Sequence, residues 1–195
     1  MSEQTTISFA NLNVPQEGVV VVFAEDGPKL TPAAKDLDKT SKGLLSRAAE
    51  ISGFKGKKET SVDLLAPSEL KFSRLVMVGM DKTGDYGAED WLNLGGTVRG
   101  LLTGKEAPTA HIVLDAVGRD IAPADIARFA LGAALPEGFD PAFVGRRQRN
   151  GQPLREQIIA GVAGGDFDLI GLAAQANDVV RQNNFSLCHT VKRDA

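Results

Sequence analysis

The sequence predicts an α/β fold: a mixed, largely parallel central sheet flanked by helices, with a helical C-terminal extension. Three observations predict it. Val19–Phe23 is an unbroken run of valines closed by phenylalanine. Such a run marks a strand buried on both faces, inside a sheet covered by helices on both sides. Leu75–Met80 and Ala110–Ala116 are two further apolar runs of strand length. Segments with helical spacing lie between and after these runs, giving the order strand, strand, helix, strand, strand, helix, strand, helix, which is the pattern of a layered α/β domain.

The elements follow in chain order. Ile7–Leu12 alternates apolar and polar residues and reads as a short strand, followed by a turn from Pro15 to Gly18. After the Val19–Phe23 strand, Glu25-Asp26-Gly27-Pro28 breaks the run. Thr31 is a candidate N-cap, and Pro32 suits the first helical position, where its missing N–H costs nothing. Leu37, Leu44, Ala48 and Ile51 recur at helical spacing, with Lys35, Asp38, Lys39 and Lys42 largely on the other side. One amphipathic helix is expected over about 32–52, ended by Gly53.

Phe54 to Lys58 forms a basic turn. Ser61–Leu65 is a strand stopped by Pro67, and Leu75–Met80 is the next. Ala88–Leu102 follows as a helix with Trp91, Leu94, Val98 and Leu101/Leu102 on one face. Gly95 and Gly96 in its middle weaken it by roughly 1 kcal/mol each against Ala. Close packing against a neighbouring backbone compensates for such a loss. Ala110–Ala116 is the last core strand, and a helix starts at Pro123 or Asp125 with Ile126, Phe129, Ala130, Ala133 and Ala134 on its apolar side.

The character changes after Leu135. Residues 1–135 hold ten Lys and five Arg, whereas residues 136–195 hold one Lys and six Arg. The first part reads as one domain, 1–135. The second, 136–195, reads as a linker and short helical tail, with helical segments at about 154–163 and 168–182 and a polar, frayed end from Asn183. The cluster Arg146-Arg147-Gln148-Arg149 reads as a solvated basic linker rather than a binding patch.

Composition narrows the function. The chain has 195 residues, 43% apolar and 24% charged, with a formal net charge of −3. Its isoelectric point near 5.5 argues against general nucleic-acid binding. Cys188 is the single cysteine, so no disulfide forms within the chain and a reducing, cytoplasmic setting is expected. Neither the adjacent Cys188-His189 pair nor His111, in a strand pattern, makes a zinc site. The start of the chain lacks a basic region followed by an apolar run, and no window is long and apolar enough for a membrane span.

The candidate ligand loop is the exit of the Leu75–Met80 strand: Gly79, Asp81, Lys82, Thr83 and Gly84. A strand ending in a glycine turn before a helix is where α/β proteins place phosphates. Gly79 and Gly84 have phosphate-loop spacing, but Asp85 and Tyr86 follow where Lys and Ser/Thr are needed. A carboxylate there repels phosphate, so a polar strand exit is the simpler reading. No other glycine fingerprint follows a strand.

Several stretches together resemble the N-terminal domain of the leucyl aminopeptidase (cytosol aminopeptidase) family: VVVVFAEDGPKL at 19–30, GFKGKKE at 53–59, RLVMVGMDKTG at 74–84, WLNLGGTVRGLL at 91–102 and HIVLDA at 111–116. The resemblance covers roughly residues 1–135 and rests on the ordered combination. It implies a mixed, macro-domain-like sheet flanked by helices. It also implies a larger protein, in which a separate catalytic domain binds two divalent metal ions such as zinc or manganese, cleaves N-terminal residues from peptides and assembles into hexamers.

That domain's N-T-D-A-E-G-R stretch does not occur in residues 1–195. The resemblance therefore implies a non-catalytic domain or truncated form, with no catalytic, metal or cofactor-binding residue carried over. Its implied partners are the catalytic domain or other subunits, with peptide substrate only in the complete protein. Two other readings stay open: a stand-alone macro-like module for a nucleotide or ADP-ribose-type ligand at the Gly79–Gly84 loop, and a regulatory or interaction subunit, with Lys55, Lys57, Lys58 and Arg146–Arg149 as possible DNA contacts.

Overall fold

A computed structural model describes residues 4–10, 17–102, 109–134 and 186–192. Its sheet has the order β1-β7-β6-β2-β5-β4, with β3 paired to the end of β2. The strands are β1 (Gln4–Ala10), β2 (Gly18–Glu25), β3 (Lys29–Leu30), β4 (Ser61–Leu65), β5 (Phe72–Gly79), β6 (Thr109–Ile112) and β7 (Ser186–Lys192). The helices are α1 (Pro32–Thr40), α2 (Leu44–Ser52), α3 (Ala88–Leu102) and α4 (Pro123–Ala134).

β2 lies at the centre because its residues suit no other place. Val20, Val21, Val22 and Phe23 are all fully buried. Alternate residues along it face opposite helical layers. Val19, Val21 and Phe23 pack with Val76, Trp91, Val98, Ile126 and Phe129 on the α3/α4 side. Val20, Val22 and Ala24 pack with Leu37, Leu45, Ala49 and Met77 on the α1/α2 side. The continuous apolar run thus serves two cores at once.

The sheet is mixed, as expected, but it is not largely parallel. Among the described strands only β6–β2 and β2–β5 pair in parallel. The β2–β3, β4–β5, β6–β7 and β1–β7 pairings are antiparallel. The reason is plain for β4 and β5. Residues 66–71 join them, and a parallel crossover needs a dozen or more residues.

The expected helix over 32–52 is two helices. Ser41 returns its hydroxyl to the Leu37 carbonyl at 2.7 Å, and Gly43 takes a φ of +83°. The Asp38 carboxylate then accepts the Ser46 N–H at 3.0 Å, capping α2 from α1. The break turns the second half of the apolar stripe. Leu45 and Ala49 are buried, whereas Ile51, expected in the core, is 81% exposed.

Thr31 does not cap α1 with its side chain. Its hydroxyl donates to the Phe23 carbonyl at 3.0 Å. The cap comes from across the sheet, where Asp115 Oδ2 accepts the Ala33 N–H at 2.8 Å.

α3 and α4 cross at close range through two glycines. A Cβ on Gly95 would stand 2.0 Å from the Phe129 carbonyl oxygen, and one on Gly132 would stand 1.9 Å from the Leu92 carbonyl oxygen. The close packing expected of the Gly95-Gly96 pair is present at Gly95, while the Cβ direction of Gly96 is open. Arg99 Nη1 donates to the Ala134 carbonyl at 3.2 Å, placing a cation at the end of α4.

Arg74 on β5 is 5% exposed and sits beneath the end of α3. It binds Asp63 of β4 through Nε at 2.8 Å and Nη2 at 2.7 Å, and Nη2 also donates to the Leu101 carbonyl at 3.0 Å.

The frayed end expected from Asn183 is corrected over Ser186–Lys192, which forms β7 between β1 and β6. Backbone pairing on both sides holds this stretch, a tertiary gain that its polar composition does not advertise. The expected helical segments at 154–163 and 168–182, and Arg146–Arg149, lie outside the described residues.

Candidate functional site

In a sheet of this kind ligands bind at the carboxyl ends of the parallel strands. Here those ends are Glu25-Asp26 on β2, Gly79–Gly84 after β5, and Val113–Val117 after β6. The segment from Phe54 to Thr60 lies across the first two. Gly27 donates to the Lys55 carbonyl at 3.1 Å, Asp81 to the Gly56 carbonyl at 2.8 Å, and Gly79 to the Thr60 carbonyl at 2.8 Å. The fit requires glycine. A Cβ on Gly56, whose φ is +71°, would stand 2.1 Å from the Glu25 carbonyl oxygen. One on Gly79 would stand 2.2 Å from the Lys57 carbonyl oxygen.

The side chains at this end form a network. Lys57 Nζ lies 3.0 Å from Asp26 and 3.4 Å from Asp81. The hydrogen bond from Lys57 holds the Asp26 carboxyl below its ordinary range, and the same bond raises Lys57. Glu25 Oε1 accepts the Thr83 hydroxyl at 2.6 Å and the Val117 N–H at 3.3 Å. One carboxylate thus ties together the exits of all three parallel strands.

Lys58 pairs with Asp90 at 2.6 Å and lies 4.6 Å from the Tyr86 ring centre. That pairing lowers Asp90. The Tyr86 hydroxyl donates to the Met80 carbonyl, and burial raises the phenol. The Tyr86 ring meets Trp91 edge-on, with centres 4.9 Å apart.

Each residue of the sequence-derived loop has a distinct place. Gly79 ends β5 against the Lys57 backbone. Asp81 takes a φ of +53° and joins the Lys57 pair. Thr83 is buried and bound to Glu25. Lys82 is exposed, with its N–H directed to Asp81 Oδ1 at 3.2 Å. Gly84 is exposed. The structure therefore brings Asp81 and Thr83 into one network and leaves Lys82 and Gly84 at its surface.

Three members of this region lie outside the ligand loop read from the sequence, where Glu25 stood only as part of a strand break and Lys57 as a possible DNA contact. Glu25 and Lys57 are the hubs of the network, and Asp115 reaches α1 from the end of β6. The available signal for Glu25 was its position at the end of the most apolar strand, where an acid needs partners. Asp115 has Oδ1 buried without a hydrogen-bond partner, and burial raises its carboxyl above the ordinary value despite the Ala33 N–H.

Chemically, the carboxylates at this end are held by lysines, a hydroxyl or backbone amides. Among the described residues no group of three or more His, Cys, Asp or Glu is placed to hold a metal ion. His111 is half-buried in β6, as its strand pattern implied. A cleft of about 310 Å³ lies apart from the network, at the α2–β3 corner, lined by residues including Leu30, Ala49, Phe54 and Lys55. No described helix is long and apolar enough to cross a membrane.

Comparison with known proteins adds an independent line. The family described as "Cytosol aminopeptidase family, N-terminal domain" matches residues 19–137. A probable cytosol aminopeptidase of Afipia carboxidovorans is 34% identical over 135 residues, covering 69% of this chain and 27% of the relative. One from Rhodopseudomonas palustris is 36% identical over 136 residues, with the same coverage of each chain. A solved mutant of tomato leucine aminopeptidase aligns with a TM-score of 0.47 at 20% identity, covering 69% of this chain and 26% of that one. The match to these two curated relatives thus takes in little more than a quarter of their length.

Proposed function

This chain belongs to the cytosol aminopeptidase family through that family's N-terminal domain, and we propose that the domain is non-catalytic, a folded module that accompanies a peptidase without supplying its chemistry. The observation that carries this reading is the state of the strand-end carboxylates. Asp26 and Asp81 share Lys57, Asp90 holds Lys58, and Glu25 accepts Thr83 and Val117. A two-metal peptide hydrolase needs several carboxylates converging on ions about 3.5–4 Å apart. Lysines in those positions compete with cations for the same oxygens. In this reading the two divalent metal ions, zinc or manganese, belong to another part of an aminopeptidase. The partners of this domain are then that catalytic part or other subunits, in the cytoplasm.

The test is hydrolysis of leucine p-nitroanilide by the pure chain with added zinc or manganese. The expected result is no release of p-nitroaniline above the metal-only blank. Sustained turnover by the chain would overturn the proposal.

The macro-like ligand reading receives less support. It needs an open loop at Gly79–Gly84, and the Gly56-Lys57 backbone packs against Gly79. Calorimetric titration with millimolar ADP-ribose is expected to give no binding heat, and a saturable heat would favour that reading instead.

A further inference from the structure

We propose that β6 carries a strand-accepting edge, closed here by the chain's own C-terminal strand, and that β7 of a second copy fills the same edge at high concentration. The observation is the place of β7. It pairs antiparallel with β1 over seven residues, Gln4↔Lys192 to Ala10↔Ser186. On its other side it pairs with β6 over four, Thr109↔Thr190 to Ile112↔Leu187. Among the described strands β1 has no other strand partner. Without β7, one side of β6 would lose its ladder and β1 would be parted from the sheet. An unpaired strand edge is a template for another strand, and here the matching strand is antiparallel with this register.

The two closing strands come from the two ends of the chain. The family match, residues 19–137, takes in β2 to α4 and neither β1 nor β7. α4 ends at Ala134 and β7 begins at Ser186, so residues 135–185 join them. The contour of this connection, at most about 3.3–3.6 Å per residue, is long enough to reach a neighbouring copy. An exchanged β7 makes the same two ladders as a β7 in its own chain. The choice between them is therefore set by concentration, as for other exchanged elements.

Register supplies the test, because Ser8 and Cys188 are Cα partners and Cys188 is the only cysteine. The full chain carrying Ser8→Cys, under mild oxidation at about 5 µM, is expected to close a disulfide within one chain. For exchange, the double variant Ser8→Cys/Cys188→Ser is refolded together with the unaltered chain at about 0.5 mM and then oxidised. A disulfide joining the two species in excess of that formed when they are refolded separately and mixed just before oxidation reports β7 of one copy lying on β1 of the other. The expected result is a mixed covalent dimer on a non-reducing gel, more abundant than in the same pair oxidised at about 5 µM. Tryptic mapping of the linked peptides to Ser8→Cys and Cys188 identifies the bond. An intrachain bond in the single variant with no mixed dimer at either concentration overturns exchange. Failure of the single variant to close within or between chains overturns the closing-strand assignment.

Discussion

Substituting Gly95 and Gly96 separately by alanine tests the α3–α4 crossing, because the same chemical change should act with opposite sign at adjacent positions. Alanine gains about 1 kcal/mol over glycine in a helix interior. At Gly96 the Cβ direction is open, so Gly96→Ala is expected to keep most of that gain. At Gly95 the new methyl would lie 2.0 Å from the Phe129 carbonyl oxygen and 2.8 Å from the Ala133 nitrogen. Both are backbone atoms of α4, so no side-chain rotation relieves the clash. Ordinary contact begins near 3.4 Å, and the helices would have to part by well over an ångström.

Overpacking of this kind costs about 1–3 kcal/mol, and rigid backbone puts Gly95→Ala at or above the upper end. After the helix gain, a net loss of about 2 kcal/mol or more remains. The two variants should therefore differ by about 3 kcal/mol or more, or roughly 6–12 °C in Tm for a chain of this size. Urea unfolding followed by Trp91 fluorescence is the assay, since Trp91 is the only tryptophan and is buried one turn from Gly95. Gly132→Ala should resemble Gly95→Ala, and the double substitution should cost less than the sum, because one separation of the helices relieves both. Equal effects at Gly95 and Gly96, within about 0.5 kcal/mol, would refute the crossing as described.

Two further predictions concern buried charge. Asp63→Ala leaves the Arg74 guanidinium buried with the Leu101 carbonyl and should cost about 3 kcal/mol. Arg74→Met removes the buried charge itself and should cost less, so the reverse order in chemical denaturation would contradict the burial argument. Asp115 has a folded-state carboxyl raised by burial, so its favourable contribution is present below the ordinary value of 3.8 and is lost as pH rises through the raised one. Asp115→Asn, which keeps an acceptor for the Ala33 N–H, should therefore gain stability relative to the unaltered chain as pH climbs from about 3.5 to 7. Stability curves that stay parallel over that range would count against this account.

Elements that depend on local pattern were legible. The span of α3 agrees with its apolar spacing from Ala88 to Leu102, and β2 and β4 lie where Val19–Phe23 and Ser61–Leu65 read as strands. The tight approach at Gly95 followed from a simple conflict, a helix carrying residues that weaken it unless a neighbour needs the space. The strand-end network was legible only in part. Asp81 and Thr83 lay in the stretch singled out, but their partners Lys57 and Glu25 are 24 and 58 residues away. Nothing local in Glu25-Asp26-Gly27 or Phe54–Lys58 announces that these two segments share an end of the sheet.

The misjudged stretches share a cause. The apolar spacing from Leu37 to Ile51 runs through Ser41–Gly43 as if the helix were continuous. What divides it is Asp38 capping the next helix and Gly43 turning the chain. At Thr31 the local rule named the nearest oxygen, but the helix takes its cap from Asp115, 82 residues away from Ala33. Ser186–Lys192 is polar enough to read as an end, yet it gains ladders on both sides. By itself, then, the sequence determined which segments are strands and helices wherever burial imposes a period on nearest neighbours, together with the family to which they belong. The tertiary structure decided where polar groups find partners, because hydrogen-bonding demand is met by proximity in space and leaves no period along the chain.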